Sequence, residues 1–482
     1  MGDNLKQKTL DALTWSAIDR FGQQIIQVII GIIVARLLSP DDYGLMGMIM
    51  IFAALSFVLV ESGFGQALIR KKDASEIDFN TIFYFNIFIS IALYVLLYFL
   101  SPAIARFFHQ PQLTKIGRVI FISLLFNAFY LVPFTQKVKE MDFKSIAKIN
   151  ILSVFLSGSA GVTLAILKFG VWALVIQQIS FHFFRMMGYH SFVKWKPKWL
   201  FSFSVIKEFW SFSVHILGSS ILTVIFNNLY VFILGKYYQR KDVGYYSQAN
   251  KLSETVNFTF QQILGSTYSM FSQIQEEIER LNRIFKVVIK RTALVTIPVI
   301  FTFIVIAYSL IYVLLSAKWL PSVPYIQILC LAALFNPFYT LNINVLNARG
   351  KSKITFRLEI IKKGLILLSA IICFRWGIFI MLGAYAFINF VVYLFSIYSV
   401  KKEIHVTIKS QIENIVPGFL IGLILALCGV GIAWLCKNLF VELFVQLVII
   451  CSLYFFIIKK YQNDFYNEAI EFVQSKVKVF KK

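Results

Sequence analysis

Runs of predominantly apolar residues, most of them about twenty long, alternate along this chain with short polar connections. A helix rises 1.5 Å per residue, so such runs can cross a hydrocarbon core about 30 Å thick. Fourteen are legible: Trp15–Leu38, Gly44–Leu68, Phe79–Ile104, Ile116–Phe134, Ile149–Leu167, Val171–Phe192, Phe209–Leu234, Gly244–Ile274, Thr292–Leu315, Val323–Leu346, Ile360–Phe374, Ile378–Val400, Ile415–Cys436 and Leu439–Ile458. No connection between them reaches twenty residues, which leaves no room for a soluble domain. The pattern predicts an all-α integral membrane protein of 14 transmembrane helices.

The runs also repeat. Leu125-Phe126-Asn127-Ala128-Phe129-Tyr130 returns as Leu334-Phe335-Asn336-Pro337-Phe338-Tyr339, and Asp42-Tyr43-Gly44 as Asp242-Val243-Gly244. Phe169-Gly170-Val171-Trp172 has its counterpart in Arg375-Trp376-Gly377-Ile378. Separations of roughly two hundred residues indicate duplication of a large unit rather than a solenoid repeat. Each unit holds six helices, an even number, so both have the same orientation and a pseudo-twofold axis along the membrane normal relates them. The expected organisation is a six-helix lobe at 1–200, a second at 201–408, two additional helices at 409–460 and a tail at 461–482. In the tail, Phe465, Ala469, Phe472, Val473 and Phe480 recur at rough helical spacing, as in a helix lying on the inner membrane surface. A transporter with a substrate cleft between two rocking lobes is the reading this symmetry favours.

Charge fixes a topology. The formal net charge is +23, which by itself could suggest nucleic acid. Of the 47 Lys and Arg residues, however, 33 fall on alternate connections and their adjoining helix ends starting with the N-terminus, 10 on the intervening ones counted in the same way, and four deeper inside helices. That is the positive-inside pattern, with both termini cytoplasmic, and it excludes nucleic acid as the partner. The basic connections then face the anionic lipids of the inner leaflet.

Composition adds little to this picture. The chain is 58% apolar and 15% charged. Residues 1–14 are polar, without the short apolar core of a cleavable signal, so the first helix is expected to direct insertion. Cys330, Cys373, Cys428, Cys436 and Cys451 lie inside helices without metal-type spacing and read as small apolar residues. No metal site or other cofactor is expected.

Candidate chemistry comes from polar residues that lipid would reject. In the first helix Ser16, Arg20, Gln23 and Gln27 share a face, with Asp19 and Gln24 beside them. The seventh, its repeat partner, carries His215, Ser219, Thr223 and Asn227, and the eighth carries Asn250, Glu254, Asn257 and Gln261 with Lys251 adjacent. Glu61 lies in the second helix, and Asn342 and Asn344 in the tenth. Such stripes face water or protein, lining a cleft or hydrogen-bonding helix to helix. Arg20 and Arg185 fall in the cytoplasmic half of the membrane, Arg118 and Lys251 in the outer half. An Arg at a helix centre costs about 2.5–3.5 kcal/mol to insert, which points to a use. Cations at several depths suit a polyanionic headgroup, and Arg forms paired bonds to phosphate. Each has an alternative: Arg20 pairs with Asp19 or Glu61, Arg118 anchors at the interface, Arg185 snorkels and Lys251 pairs with Glu254. Asp19, Glu61 and Glu254 are candidates for binding a coupling proton or sodium ion. His182 and His215 are bonded core residues or proton carriers.

These residues also carry a resemblance. Ala35-Arg36-Leu37-Leu38-Ser39-Pro40-Asp41-Asp42-Tyr43-Gly44 and Ser62-Gly63-Phe64-Gly65-Gln66-Ala67-Leu68-Ile69 are similar to the opening of the Wzx-type polysaccharide exporters. So are Asn227-Asn228-Leu229-Tyr230, Gly244-Tyr245-Tyr246-Ser247, Lys318-Trp319-Leu320-Pro321 and Leu358-Glu359-Ile360-Ile361-Lys362-Lys363. The resemblance runs over essentially the whole chain, is nearest the colanic-acid and teichuronic-acid exporter branch, and extends to a superfamily with the multidrug MATE exporters and the lipid II flippase. It implies a non-enzymatic flippase that moves undecaprenyl-pyrophosphate-linked oligosaccharide across the bacterial inner (cytoplasmic) membrane by alternating access. Cavity-facing cations would contact pyrophosphate or acidic sugars. It further implies membrane lipids, a polysaccharide polymerase and assembly proteins as partners. One segment departs from the family pattern. Where Ser-Arg-Ala-Asp-Arg is usual, this chain reads Ser247-Gln248-Ala249-Asn250-Lys251, which shifts weight from the eighth helix to Asp19-Arg20. A MATE-like drug exporter would favour a cleft dominated by carboxylates. A membrane polymerase or glycosyltransferase would need a large outer loop or a nucleotide-sugar domain.

Overall fold

A computed structural model describes residues 2–61, 63–464 and 466–467, and among these there are helices and no strands. In order they are α1 (Gly2–Leu37), α2 (Pro40–Glu61), α3 (Phe64–Arg70), α4 (Glu76–Phe107), α5 (Gln112–Ile120), α6 (Ile122–Lys139), α7 (Phe143–Ile166), α8 (Val171–Phe192) and α9 (Phe203–Tyr237). There follow α10 (Arg240–Gln273), α11 (Ile278–Leu315), a 3₁₀ turn (Ala317–Ser322), α12 (Val323–Ala333), α13 (Asn336–Ala348), α14 (Ser352–Cys373), α15 (Ile378–Ile404), α16 (Ile408–Leu435) and α17 (Leu439–Tyr461). The tail residues Phe465, Ala469, Phe472, Val473 and Phe480 lie outside the described residues.

Helices occupy all fourteen apolar runs. Eleven helical segments among the described residues are long and apolar enough to cross a membrane. The helices at the other three runs, α8, α10 and α14, are not among them. Mean hydropathy falls where α10 carries Asn, Gln, Lys and Glu and where α14 opens on Lys353, Arg357, Lys362 and Lys363.

Three passes are broken. Between α2 and α3, Gly63 adopts φ +73°, and a Cβ there would lie 3.0 Å from the Ser213 carbonyl oxygen of α9. Glycine answers both the left-handed backbone and the close approach. The α5–α6 break falls at Phe121, and the α12–α13 break at Leu334–Phe335, just before Asn336-Pro337. Pro337 occupies the first turn of α13, where its missing N–H is harmless. Both copies of the duplicated Leu-Phe-Asn segment thus sit in passes interrupted near their middle.

The chain divides into two compact units, Met1–Ser247 and Gln248–Lys482. In the first, α1 packs along α7 through small residues: a Cβ on Gly22 would crowd Ile151, and one on Gly158 would collide with Ile30. Without a hydrophobic drive in lipid, close backbone approach of this kind holds helices together. A core of Phe64, Ile82, Phe83, Val132 and Phe209 joins α3, α4, α6 and α9.

The duplicated Asp-x-Gly sequences meet in this unit. Asp42 accepts hydrogen bonds from the Ser39 backbone N–H (3.0 Å) and hydroxyl (2.6 Å) at the start of α2, and Asp242 accepts from the Gln239 N–H (3.2 Å) at the start of α10. A Cβ on Gly44 would collide with the Arg240 carbonyl, and one on Gly244 with the Pro40 carbonyl. The contact is reciprocal at an offset of two hundred residues. Arg240 Nε donates to Asp41 Oδ1 at 2.8 Å beside it.

In the second unit α11 and α16 share the most extensive contact. Gly418 lies against the Ala293 backbone, and Tyr454 of α17 donates to the Leu294 carbonyl at 3.1 Å. Buried Gln446 accepts from the Ser309 hydroxyl (3.1 Å) and donates to Glu442 (3.3 Å) and to the Gly429 carbonyl (2.9 Å). The two helices outside the sequence repeat are therefore fastened to α11.

Candidate functional site

The two exposed sides of α1 differ in chemistry. Ile18, Phe21, Ile25 and Ile29 are exposed on one side. Arg20 and Gln27 are exposed, and Ser16 and Gln23 half-buried, on the other. At 100° per residue these sets lie on roughly opposite faces, with the α7-packing face (Gly22, Ile26, Ile30) between them. An apolar face suits lipid; a polar one with a guanidinium suits water or a polar ligand. The same division holds on α9, where His215, Ser219, Thr223 and Asn227 are exposed away from exposed Trp210, Val214, Ile225 and Phe232. There the polar side chains mostly satisfy themselves along the helix: His215 lies 2.7 Å from the Ser211 carbonyl and Thr223 donates to Ser219 at 2.9 Å.

Behind the α1 stripe lies a polar network that joins α1, α6, α7 and α8. Asp19 accepts from Gln23 (2.8 Å) and Asn150 (3.1 Å), and Tyr189 donates to Asn150 at 3.3 Å. The Arg185 guanidinium lies 4.5 Å from the Tyr130 ring centroid, with Phe181, Phe134 and Tyr189 around it, and donates to the Tyr130 hydroxyl at 2.9 Å. Rather than snorkelling, it is caged by aromatic rings, a geometry that planar guanidinium favours. His182 is buried, with its ring nitrogens 3.3 Å from Tyr130 and 3.2 Å from Gln178, and it stacks on Phe57 at 4.6 Å. It is a bonded core residue. Glu61 lines a cavity of about 190 Å³ with Gln66, Thr135, Phe134 and Ser220. Arg118 lies apart, over the Tyr98 ring of α4 at 4.5 Å.

In the second unit Glu254 accepts from Asn250 at 2.8 Å. The alternative of a Lys251–Glu254 pair is not realised: the Lys251 ammonium has no partner among the described residues. One position apart on a helix, Asn250 and Lys251 point about 100° apart, and the amide reaches Glu254 first. Asn257 is half-buried, Gln261 donates to Thr340 at 3.2 Å, and Asn344 donates to Thr267 at 2.9 Å. Buried Asn342 donates to Ser396 (2.7 Å) and accepts from Gln411 (3.2 Å), a helix-to-helix bond.

Several polar residues escape sequence reading. Glu359 lies inside α14, which begins eight residues before the apolar run, and Lys362 lies one turn further on. Tyr339 donates to Glu359 at 2.8 Å, and the Lys362 ammonium lies 4.7 Å from the Tyr339 ring. Asn150 looks unremarkable in sequence because its partners Asp19 and Tyr189 are remote along the chain, and nothing in the duplicated segment signals that Tyr130 faces Arg185, 55 residues on. Glu442, 5% exposed, signals itself only as one acid in an apolar run. Among the described residues no cluster of three or more metal-ligating side chains occurs.

Comparison with known proteins places this arrangement. The chain is 23% identical over 442 residues to the teichuronic acid biosynthesis protein TuaB of Bacillus subtilis (strain 168), covering 89% of this chain and 90% of that protein. It is 22% identical over 374 residues to the lipopolysaccharide biosynthesis protein WzxC of Escherichia coli (strain K12), 74% of each. The fold matches that of the lipid II flippase MurJ in its inward closed conformation, with a TM-score of 0.73 at 16% identity over 94% of this chain and 99% of that one. The family described as polysaccharide biosynthesis protein matches residues 33–324. With its membrane-length helices and the polar faces they keep exposed, this chain is a multi-pass membrane protein of the polysaccharide biosynthesis protein family.

Proposed function

We propose that the protein is a flippase that moves undecaprenyl-pyrophosphate-linked oligosaccharide from the cytoplasmic to the outer leaflet of a bacterial inner membrane by alternating access. The observation that carries this is the two-sided exposure of α1, apolar on one side and bearing Arg20 on the other. It is supported by the relationship to a teichuronic acid biosynthesis protein over 89% of this chain and by the family match over residues 33–324. Arg20 holds an anionic group of the cargo, and Gln23, Gln27 and Asn227 offer hydrogen bonds to sugar hydroxyls. Asn257 and the unpartnered Lys251 provide a second polar station, and Arg118 and Arg185 add positive field at other depths. Glu61, Asp19 and Glu254 are the acids available to an energising proton or cation. Fourteen passes with both termini cytoplasmic, a parallel repeat of six helices and a non-enzymatic role belong to the same reading, supported by the 33-to-10 division of Lys and Arg. A drug exporter handling cations would draw on carboxylates, and here cations outnumber them.

The test is mass spectrometry of lipid-linked intermediates in a strain lacking the protein, with complementation by variants at matched levels. The undecaprenyl-linked repeat unit accumulates on the cytoplasmic face in the null strain, and Arg20→Ala fails to clear it. Unchanged intermediates in the null strain would refute the flippase reading. Full clearance by Arg20→Ala would place the cargo's charge elsewhere.

A further inference from the structure

The connection between α8 and α9 is not a free linker. It runs as an extended strap over the end of α4 that the Lys and Arg pattern assigns to the cytoplasm. Asn80 Oδ1 accepts from the Lys198 backbone N–H at 2.6 Å and Thr81 Oγ1 from the Ser202 N–H at 3.1 Å, both from fully buried side chains. Trp195 packs edge-on against Phe83 at 5.3 Å, and Trp199 stacks on Tyr84 at 5.0 Å. The strap reads Lys194-Trp195-Lys196-Pro197-Lys198-Trp199, cations alternating with apolar residues. Its outer side leaves Trp199 91% exposed, and Phe203, where α9 begins, is 79% exposed. Rings this bare beside lysines are the composition of a membrane–water interface.

Beneath the strap is a cavity of about 580 Å³ bounded by the ends of α6 and α8, with Lys137, Lys139, Lys194, the carboxylate of Glu140, Trp195 and Phe192 on its walls. Its lysines are not equivalent. Lys137 is neutralised by Glu140 and Asp142, each at 3.0 Å. Lys139 reaches only the Lys71 backbone carbonyl and the Phe79 ring, and Lys194 has no partner among the described residues. Two uncompensated ammonium groups therefore share one cavity, with exposed Phe192 at its wall.

We propose that this cavity seats the headgroup of an anionic glycerophospholipid of the cytoplasmic leaflet. Its phosphodiester would lie between Lys139 and Lys194 and its acyl chains along Phe192. Charge complementarity selects a phosphodiester without a compensating cation, so phosphatidylglycerol binds and zwitterionic phosphatidylcholine does not. The volume admits a headgroup, and the neighbouring aromatic side chains set its depth. The site stands apart from the α1 stripe and does not depend on the cargo.

The experiment is native mass spectrometry of the full-length protein reconstituted with vesicles of equal phosphatidylglycerol and phosphatidylcholine and then stripped with detergent. The wild type retains phosphatidylglycerol several-fold over phosphatidylcholine. Lys194→Gln reduces that preference, and Lys139→Gln with Lys194→Gln abolishes it. A control removing two exposed lysines elsewhere, Lys353→Gln with Lys409→Gln, leaves it intact. Glycerol 3-phosphate in solution does not displace the lipid if the acyl chains contribute. Equal retention of both lipids by the wild type, or an undiminished preference in the double variant, would overturn the proposal. So would an equal loss in the control, which would assign the preference to net charge alone.

Discussion

At the residue scale the sequence located polar side chains but not their partners. The Asp19 carboxylate accepts from Gln23 one turn on and from Asn150 of a different helix. Arg20→Lys should retain only part of the export activity, because an ammonium lacks the planar fork that grips phosphate in pairs. Complementation at matched protein levels checks this, and full activity would show that a point charge suffices. Tyr130→Phe keeps the ring beneath Arg185 but removes its hydroxyl acceptor. Loss of a hydrogen bond to a charged group should cost about 1.5–3 kcal/mol, read as a lowered midpoint in detergent unfolding. The glycine pair gives a sharper contrast. Gly244→Ala drives a methyl group into the Pro40 carbonyl and should cost about 1–3 kcal/mol, as overpacking does. Arg240→Ala removes only a part-exposed ion pair with Asp41, at about 0–1 kcal/mol. Close backbone packing, not charge, holds that contact.

At the element scale the apolar runs predicted where helices form, because burial of backbone polar groups in lipid leaves few alternatives. Two of the three breaks were harder to foresee. Asn336-Pro337 announces one, whereas the break at Gly63 depends on the approach of α9 and the break at Phe121 has no Pro or Gly beside it. The strap was likewise read as a plain basic connection, since what immobilises it are Asn80 and Thr81, more than a hundred residues away. Asn80→Ala should strand the Lys198 N–H, at about 1–3 kcal/mol, and raise tryptic cleavage after Lys198 in intact protein. Beside the strap, Lys71 bridges Asp78 (3.2 Å) and Glu208 (3.0 Å). Burial opposes its charge, but the bonds it donates to Glu208 and Asp78 outweigh that and raise its pKa. Burial likewise opposes ionisation of Asp142, and bonds from Ser145 and Lys137 hold its carboxyl below the usual value. A raised Lys loses its contribution only as pH climbs past about 10, and a lowered Asp only as pH falls below about 4. Asn80 and Thr81 do not titrate, and the ion pairs beside the strap keep their charge. Strap cleavage by a pH-tolerant protease should therefore stay flat between about pH 5 and pH 9, and a transition inside that window would mean that a further, titrating group contributes.

At the scale of the whole molecule the prediction is topological. In a background without native cysteines, cysteine at exposed Lys72, Lys353 or Lys409 should resist an impermeant thiol reagent in intact cells, whereas Gln112, Arg375 or Lys437 positions should label. Equal labelling of both sets would defeat the fourteen-pass arrangement. The sequence by itself determined that this is a helical membrane protein, the placement of its helices and the alternation of charge. Each of these depends on local composition measured against a uniform solvent, the bilayer. Only tertiary structure decided which polar groups are partners. Asn150 serves Asp19, Tyr130 and three other rings enclose Arg185, the Lys251 ammonium has no partner among the described residues, and Lys362 lies over the Tyr339 ring. Such pairings depend on which helix faces meet, and a single helix in lipid carries no information about its neighbours.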